Sequence, residues 1–86
     1  MQLKFNPNAL DDWRWWKENN KKTYEKIARL LEETLAIPYS GTGKPEKLKH
    51  NLSGCWSRRI DREHRLVYKV EDNNLIILSC RYHYSD

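Results

Sequence analysis

Near residue 55 the spacing of apolar residues changes from a helical period to the period of a strand, and this change limits the possible folds more than any other feature. In "ALDDWRWWKENN", Ala9, Trp13 and Trp16 recur at i, i+4 and i+7. In "KKTYEKIARLLEETL", Tyr24, Ile27, Ala28, Leu31 and Leu35 share one stripe. Two amphipathic helices are predicted, and the short Asn19-Asn20 break between them makes a hairpin with an apolar seam. From Cys55 onward, "CWSRRI", "HRLVYKV" and "NLIILSCRYHY" are rich in β-branched and aromatic residues, and "EDNN" turns the last two into a β-hairpin. Ahead of the helices, "LKF" reads as an edge strand ending at Asn6-Pro7-Asn8. Asn8 is the predicted N-cap, with Asp11 and Asp12 in the first helical turn. The order is β-α-α-β-β-β, an α+β fold with a two-helix hairpin on one face of a mostly antiparallel, twisted sheet. With 86 residues the chain makes one domain, 1–86.

Pro38 ends the second helix, and "PYSGTGKPEKLKHNLSG" then reads as a surface loop with room for one short strand. Its Gly-Thr-Gly-Lys fragment lacks the preceding strand, the spacing and the following helix of a phosphate-binding loop. Cys55 and Cys80 have neither zinc-site spacing nor the density of a disulfide scaffold, so both are expected to be reduced strand residues. His50, His64 and His83 show no metal-ligand spacing, and no cofactor motif is present. No run approaches the ~20 apolar residues of a membrane span, and the opening residues read as a strand, so a cytoplasmic protein with no membrane partner is expected.

The formal net charge is +4, unevenly spread. Residues 44–86 hold nine Lys/Arg against six Asp/Glu, whereas residues 1–43 hold seven against six. The C-terminal half is the side suited to an anion. If Leu66, Tyr68 and Val70 face the helices, their expected cross-strand partners are Ile76, Leu78 and Cys80. That register gathers Arg65, Val67 and Lys69 with Ile77, Ser79, Arg81 and His83 on the opposite face. One of Arg58 and Arg59 should join them, and alternation alone does not say which. Guanidinium groups bind phosphate bidentately, an imidazole can carry a proton near neutral pH, and Tyr82 and Tyr84 offer rings for stacking on unpaired bases.

"GKPEKLKHNLSGCWSRRIDREHRLVYKV" followed by "CRYHY" resembles the YoeB group of toxins, in the RelE superfamily of bacterial toxin–antitoxin systems. The likeness spans nearly the whole chain and is densest from Gly43 to Tyr84. The chain continues with Ser85-Asp86 past the Tyr at which such chains often stop. The resemblance implies a ribosome-dependent endoribonuclease that cuts messenger RNA in the decoding site, without cofactor or metal. It implies Glu46 as general base, His83 as general acid and Arg65 as the group that stabilises the transition state. Lys49, His50 and Arg59 match positions that contact RNA or the ribosome, and Tyr84 one that places the substrate. It further implies a cognate antitoxin with a segment ordered on binding, and a homodimer. Two other functions compete: a non-catalytic relative that poisons DNA gyrase, and an RNA-binding module without chemistry. The joint presence of Glu46, Arg65 and His83 argues against the first, and cleavage would exclude the second.

Overall fold

The computed structural model describes residues 1–82; His83 to Asp86, and with them the expected roles of His83 and Tyr84, lie outside the described residues. Five strands and two helices follow in the order β1 (Gln2–Phe5), α1 (Pro7–Asn19), α2 (Lys21–Ala36), β2 (Glu46–Lys47), β3 (Trp56–Arg59), β4 (Arg65–Glu71) and β5 (Asn74–Ser79), with a single 3-10 turn at His50–Leu52 between β2 and β3. The sheet order is β1-β5-β4-β3-β2; β1 runs parallel to β5 and the other neighbours are antiparallel. The predicted α+β architecture is thus found, and the short strand allowed for in the long loop is β2.

Helix α1 starts earlier than expected. Asn6, not Asn8, is the N-cap, its side chain accepting from the Ala9 amide at 2.8 Å, with Pro7 in the first helical position. Proline is pre-set for that position because its ring fixes φ and the missing N–H has no partner there anyway. Asp11 and Asp12 consequently sit beyond the first turn, which holds no acidic residue. Asn20 closes α1 through its backbone and caps α2 through its side chain, so one residue makes the hairpin turn. Trp13 and Tyr24 stack across the seam with ring centroids 4.1 Å apart.

The apolar stripes meet the sheet as expected. Ala9, Trp16, Ile27 and Leu31 pack against Leu66, Tyr68, Leu75 and Ile77 in one core. The register of β4 with β5 differs from the expected one. Tyr68 pairs with Ile77 and Val70 with Leu75, and a bulge opposite Val67/Tyr68 inserts one extra residue into β5. Leu75 and Ile77 therefore face the helices, and Leu78 packs on the other side. Ile77 belongs to the core instead of the solvent face, and Ile76 and Leu78 are not its core counterparts. The hairpin turn is Asp72-Asn73, with φ of 52° and 60°, the left-handed pair that a two-residue turn matching the strand twist requires.

Strand β5 ends at Ser79 instead of running on through Cys80, Arg81 and Tyr82. Cys80's N–H donates to Asp12 Oδ2 at 3.0 Å and its carbonyl accepts from the Trp16 indole at 2.8 Å, so α1 takes the groups a further ladder would need. Cys80 and Cys55 lie just outside the strands, and both are buried free thiols. Burial, together with the Asp12 carboxylate, pushes the Cys80 thiol up to about 12.

A second, smaller cluster lies on the sheet face away from the helices. Leu48, Leu52 and Cys55 from the β2–β3 connection cover Val67 and Leu78. Backbone bonds from Leu48 N–H to the Cys55 carbonyl and from Cys55 N–H to the Leu52 carbonyl close this loop. The connection is thereby a packed flap on the sheet.

Candidate functional site

The two adjacent arginines of β3 point to opposite faces. Arg58 is fully buried on the helix side, where its Nη2 donates to the carbonyls of Ile37 and Ser40 and its Nη1 to the Thr42 carbonyl at 3.1 Å and to the Glu33 carboxylate. Its Nε donates to the Tyr68 hydroxyl at 3.3 Å. One guanidinium thus holds the whole turn that leads from α2 toward β2. Gly43 completes the closure. Its carbonyl accepts from the Arg59 amide at 2.7 Å, φ is +85°, and a Cβ would stand 2.8 Å from the Arg59 carbonyl oxygen. Close approach to β3 explains this glycine better than any phosphate-cradling role.

Arg59 is exposed on the other face and stands directly opposite Arg65 of β4. Like charges at a cross-strand pair repel, so stability does not favour the pair, whereas a bound anion relieves it. Arg65 is set by the turn before it. Asp61 Oδ1 accepts from the amides of Glu63 and His64, both at 2.8 Å. Burial alone would raise the Asp61 carboxyl, but those two amides, together with the charges of His64 and Lys26, hold it below its ordinary range. The Arg65 Nη1 donates to the Asp61 carbonyl at 3.3 Å, which keeps the guanidinium beside the turn.

Glu46 joins this face through register. It pairs with Ser57, Ser57 with Val67, and Val67 with Ser79, so the four form one row across the sheet. Arg59 and Arg65 lie two residues along from that row on the same side. From strand spacing and rise the Glu46 and Arg65 Cα atoms are separated by ~12 Å, a gap that two long side chains and a phosphodiester can span. Lys49 and His50 are exposed on the flap that packs beside the row, His50 with φ of +57°. All five described candidates, Glu46, Lys49, His50, Arg59 and Arg65, therefore belong to one face or to the loop laid on it.

Arg81 does not join them. Its guanidinium lies 3.6 Å from the ring centroid of Trp15 on α1 and 4.7 Å from that of Tyr82. Alternation along an uninterrupted β5 had placed it on the site face; the bulge and the strand end at Ser79 remove the basis for that placement. The direct Arg59–Arg65 pairing was missed at the sequence level, although the alternation in "WSRRI" against "HRLVY" carries it once the register is known. Among the described residues no cluster of three or more His, Cys, Asp or Glu could hold a metal ion, and no helix is long and apolar enough to cross a membrane.

Several known proteins share these features. The profile of the YoeB-like toxins of bacterial type II toxin–antitoxin systems matches residues 5–84. Toxin YoeB of Escherichia coli strain K12 is 52% identical over 84 residues, covering 98% of this chain and 100% of the relative. Among solved structures, a YoeB/ParE toxin from Agrobacterium tumefaciens superposes with a TM-score of 0.95 at 40% identity, covering 98% of this chain and 100% of that one. A YoeB–YefM complex and a YoeB dimer, both from Staphylococcus aureus, each superpose with a TM-score of 0.89, at 49% and 48% identity, covering 98% of each chain. The toxin–antitoxin complex RelBE2 of Mycobacterium tuberculosis, 17% identical with a TM-score of 0.66, shares the fold.

Proposed function

The chain belongs to the YoeB-like toxins of bacterial type II toxin–antitoxin systems, and we propose that it is the endoribonuclease of such a system, cutting messenger RNA in the ribosomal decoding site. The observation that carries this reading is the Arg59–Arg65 pair, two repelling cations opposite one another, on the same sheet face as the Glu46 carboxylate. An anion relieves the pair, and a carboxylate next to an anion-binding site is a base placed for chemistry on it.

Glu46 takes the proton of the ribose 2'-hydroxyl, whose oxygen attacks the adjacent phosphorus. As the O2'–P bond forms, the P–O5' bond breaks, and His83 gives its proton to the departing 5'-oxygen. The products are a 2',3'-cyclic phosphate and a 5'-hydroxyl. Arg65 opposes the extra negative charge on phosphorus in the transition state, with Lys49 close by on the flap. Arg59 and His50 hold the flanking RNA or ribosomal surface, and Tyr84 places the nucleotide. The ribosome completes the site by excluding water, which strengthens each of these electrostatic interactions. The cognate antitoxin covers the basic face with a segment that orders on binding, and the toxin is a homodimer, as the YoeB–YefM complex and the YoeB dimer of Staphylococcus aureus suggest.

A primer-extension toeprint on a defined messenger, with and without ribosomes, tests the proposal. Wild type should cut only with ribosomes and only in the decoding site, and Glu46→Ala and His83→Ala should leave the message intact. Uncut message with wild-type protein, together with inhibited gyrase supercoiling, would replace the nuclease by a binding toxin.

A further inference from the structure

Residues 80–82, the three that precede His83, are tied by hydrogen bonds to α1 and to the turn before β4. Cys80's N–H goes to Asp12 and its carbonyl to the buried Trp16 indole. Tyr82's carbonyl accepts from the Arg65 amide at 3.0 Å, and its N–H donates to His64 Nδ1 at 2.6 Å. Arg81 between them stacks on Trp15 and Tyr82. Tyr82 has φ of +63°, a left-handed conformation that a residue with a Cβ keeps only when its surroundings over-determine it.

His64 is the centre of this arrangement. It is buried, its ring meets Trp16 edge-on at 4.8 Å and lies 5.3 Å from the Tyr82 ring. Accepting at Nδ1 requires the tautomer with its proton on Nε2, which faces Glu63 Oε1 at 3.5 Å. His64 also directly precedes Arg65, whose own amide holds the Tyr82 carbonyl. The segment leading to the candidate acid and the candidate transition-state arginine are therefore fastened to the same two consecutive residues. None of the reaction's expected roles uses His64, Asp12 or Trp16.

Resting on the proposed function, we infer that His64 is a positioning residue for His83. Its Nδ1 fixes the amide of Tyr82, the residue to which His83 is bonded, while Asp12 and Trp16 hold Cys80 at the other end of the tripeptide. Misplacing a reacting group by an ångström costs up to about 100-fold in rate, so a single hydrogen bond one residue away suffices to matter.

The test compares His64→Asn with His64→Gln. Asparagine puts an acceptor where Nδ1 stood, whereas glutamine moves its amide to the Nε2 position; both are polar and of similar bulk. Two readouts are taken: hydrogen exchange at the Tyr82 amide, and single-turnover cleavage of ribosome-bound message over a range of toxin concentrations. The expected result is exchange and a saturating rate within a few-fold of wild type for His64→Asn. His64→Gln should show faster exchange at Tyr82 and a saturating rate ~10- to 100-fold lower, at an unchanged half-saturating concentration. Equal rates in the two variants, or a loss confined to the half-saturating concentration, would overturn the inference. If wild type cuts nothing, the functional reading fails with the catalytic part of this inference, while exchange at Tyr82 still decides whether His64 anchors the segment.

Discussion

Arg58 and Arg59 are neighbours in sequence with opposite consequences, and replacing each by alanine should separate stability from activity. Arg58 is fully buried and donates to five acceptors from α2, the following turn and β4. Arg58→Ala leaves the carbonyls of Ile37, Ser40 and Thr42 without these donors and removes the cation beside Glu33. A hydrogen bond of a charged group is worth about 1.5–3 kcal/mol, so losing the buried guanidinium with its bonds to three carbonyls should cost at least ~3 kcal/mol. A domain of this size has roughly 4–13 kcal/mol in total, so the variant should lose a large share of its stability. At 4–8 °C per kcal/mol, the melting temperature should fall by at least ~12 °C. Arg58→Lys should lose much of the same, because an ammonium cannot reproduce the planar fork. Arg59→Ala, at an exposed position opposite a like charge, should change stability by no more than ~0.5 kcal/mol while weakening ribosome-dependent cleavage. Urea unfolding followed by tryptophan fluorescence, at one fixed protein concentration because a dimer would link stability to it, measures the stability of both variants, and the toeprint measures their cleavage. A loss below ~1 kcal/mol for Arg58→Ala, or equal losses for the two variants, would refute the assignment of the buried and the active arginine.

Three further outcomes follow from the geometry. Arg65→Ala should slow single-turnover cleavage by ~10²-fold or more at unchanged stability, and an unchanged rate would remove it from the transition state. Cys80, with its thiol pushed up to about 12 by burial, should resist alkylation near pH 8 in the folded protein and react only after unfolding; rapid native labelling of that thiol, read by peptide mass mapping, would contradict its placement under α1. The Glu33 carboxyl is held below its ordinary value of 4.5 by the Thr42 amide and hydroxyl and then by Arg58. A lowered value contributes stability that is present above 4.5 and lost as pH falls through the folded value. Glu33→Gln should therefore unfold with a flatter pH dependence between about pH 6 and pH 3 than wild type, and identical urea midpoint curves would show that Glu33 carries none of it.

The helices were legible because their apolar residues repeat at one period over two or more turns, and Ile27, Leu31 and Trp16 are in the core for that reason. The start of α1 was misplaced by two residues because asparagines flank Pro7 on both sides; the preference of proline for the first helical position points to Asn6. The face of β5 was not legible. Leu75-Ile76-Ile77-Leu78 is uniformly apolar, so alternation carries no information there, and the bulge at Leu78 resets the face within the strand. The end of β5 depends on Asp12 and Trp16, 68 and 64 residues away from Cys80, contacts that no local pattern encodes. The candidate site was legible in composition and only partly in geometry. Glu46, Lys49, His50, Arg59 and Arg65 do converge, but the choice of Arg59 over Arg58 rests on the acceptors that claim the buried Arg58 guanidinium, and Arg81 is drawn away by the Trp15 ring.

The central claim is that this sheet face catalyses attack by the ribose 2'-hydroxyl. A messenger carrying one 2'-deoxynucleotide at the position whose 2'-oxygen would attack, programmed into ribosomes beside its all-ribose counterpart, tests that claim most directly. The account predicts that the ribose message is cut at that position, leaving a 2',3'-cyclic phosphate, and that the deoxy message stays whole there. Cleavage of the deoxy message at the same position and rate would contradict it, because no group on this face could then be working through the hydroxyl.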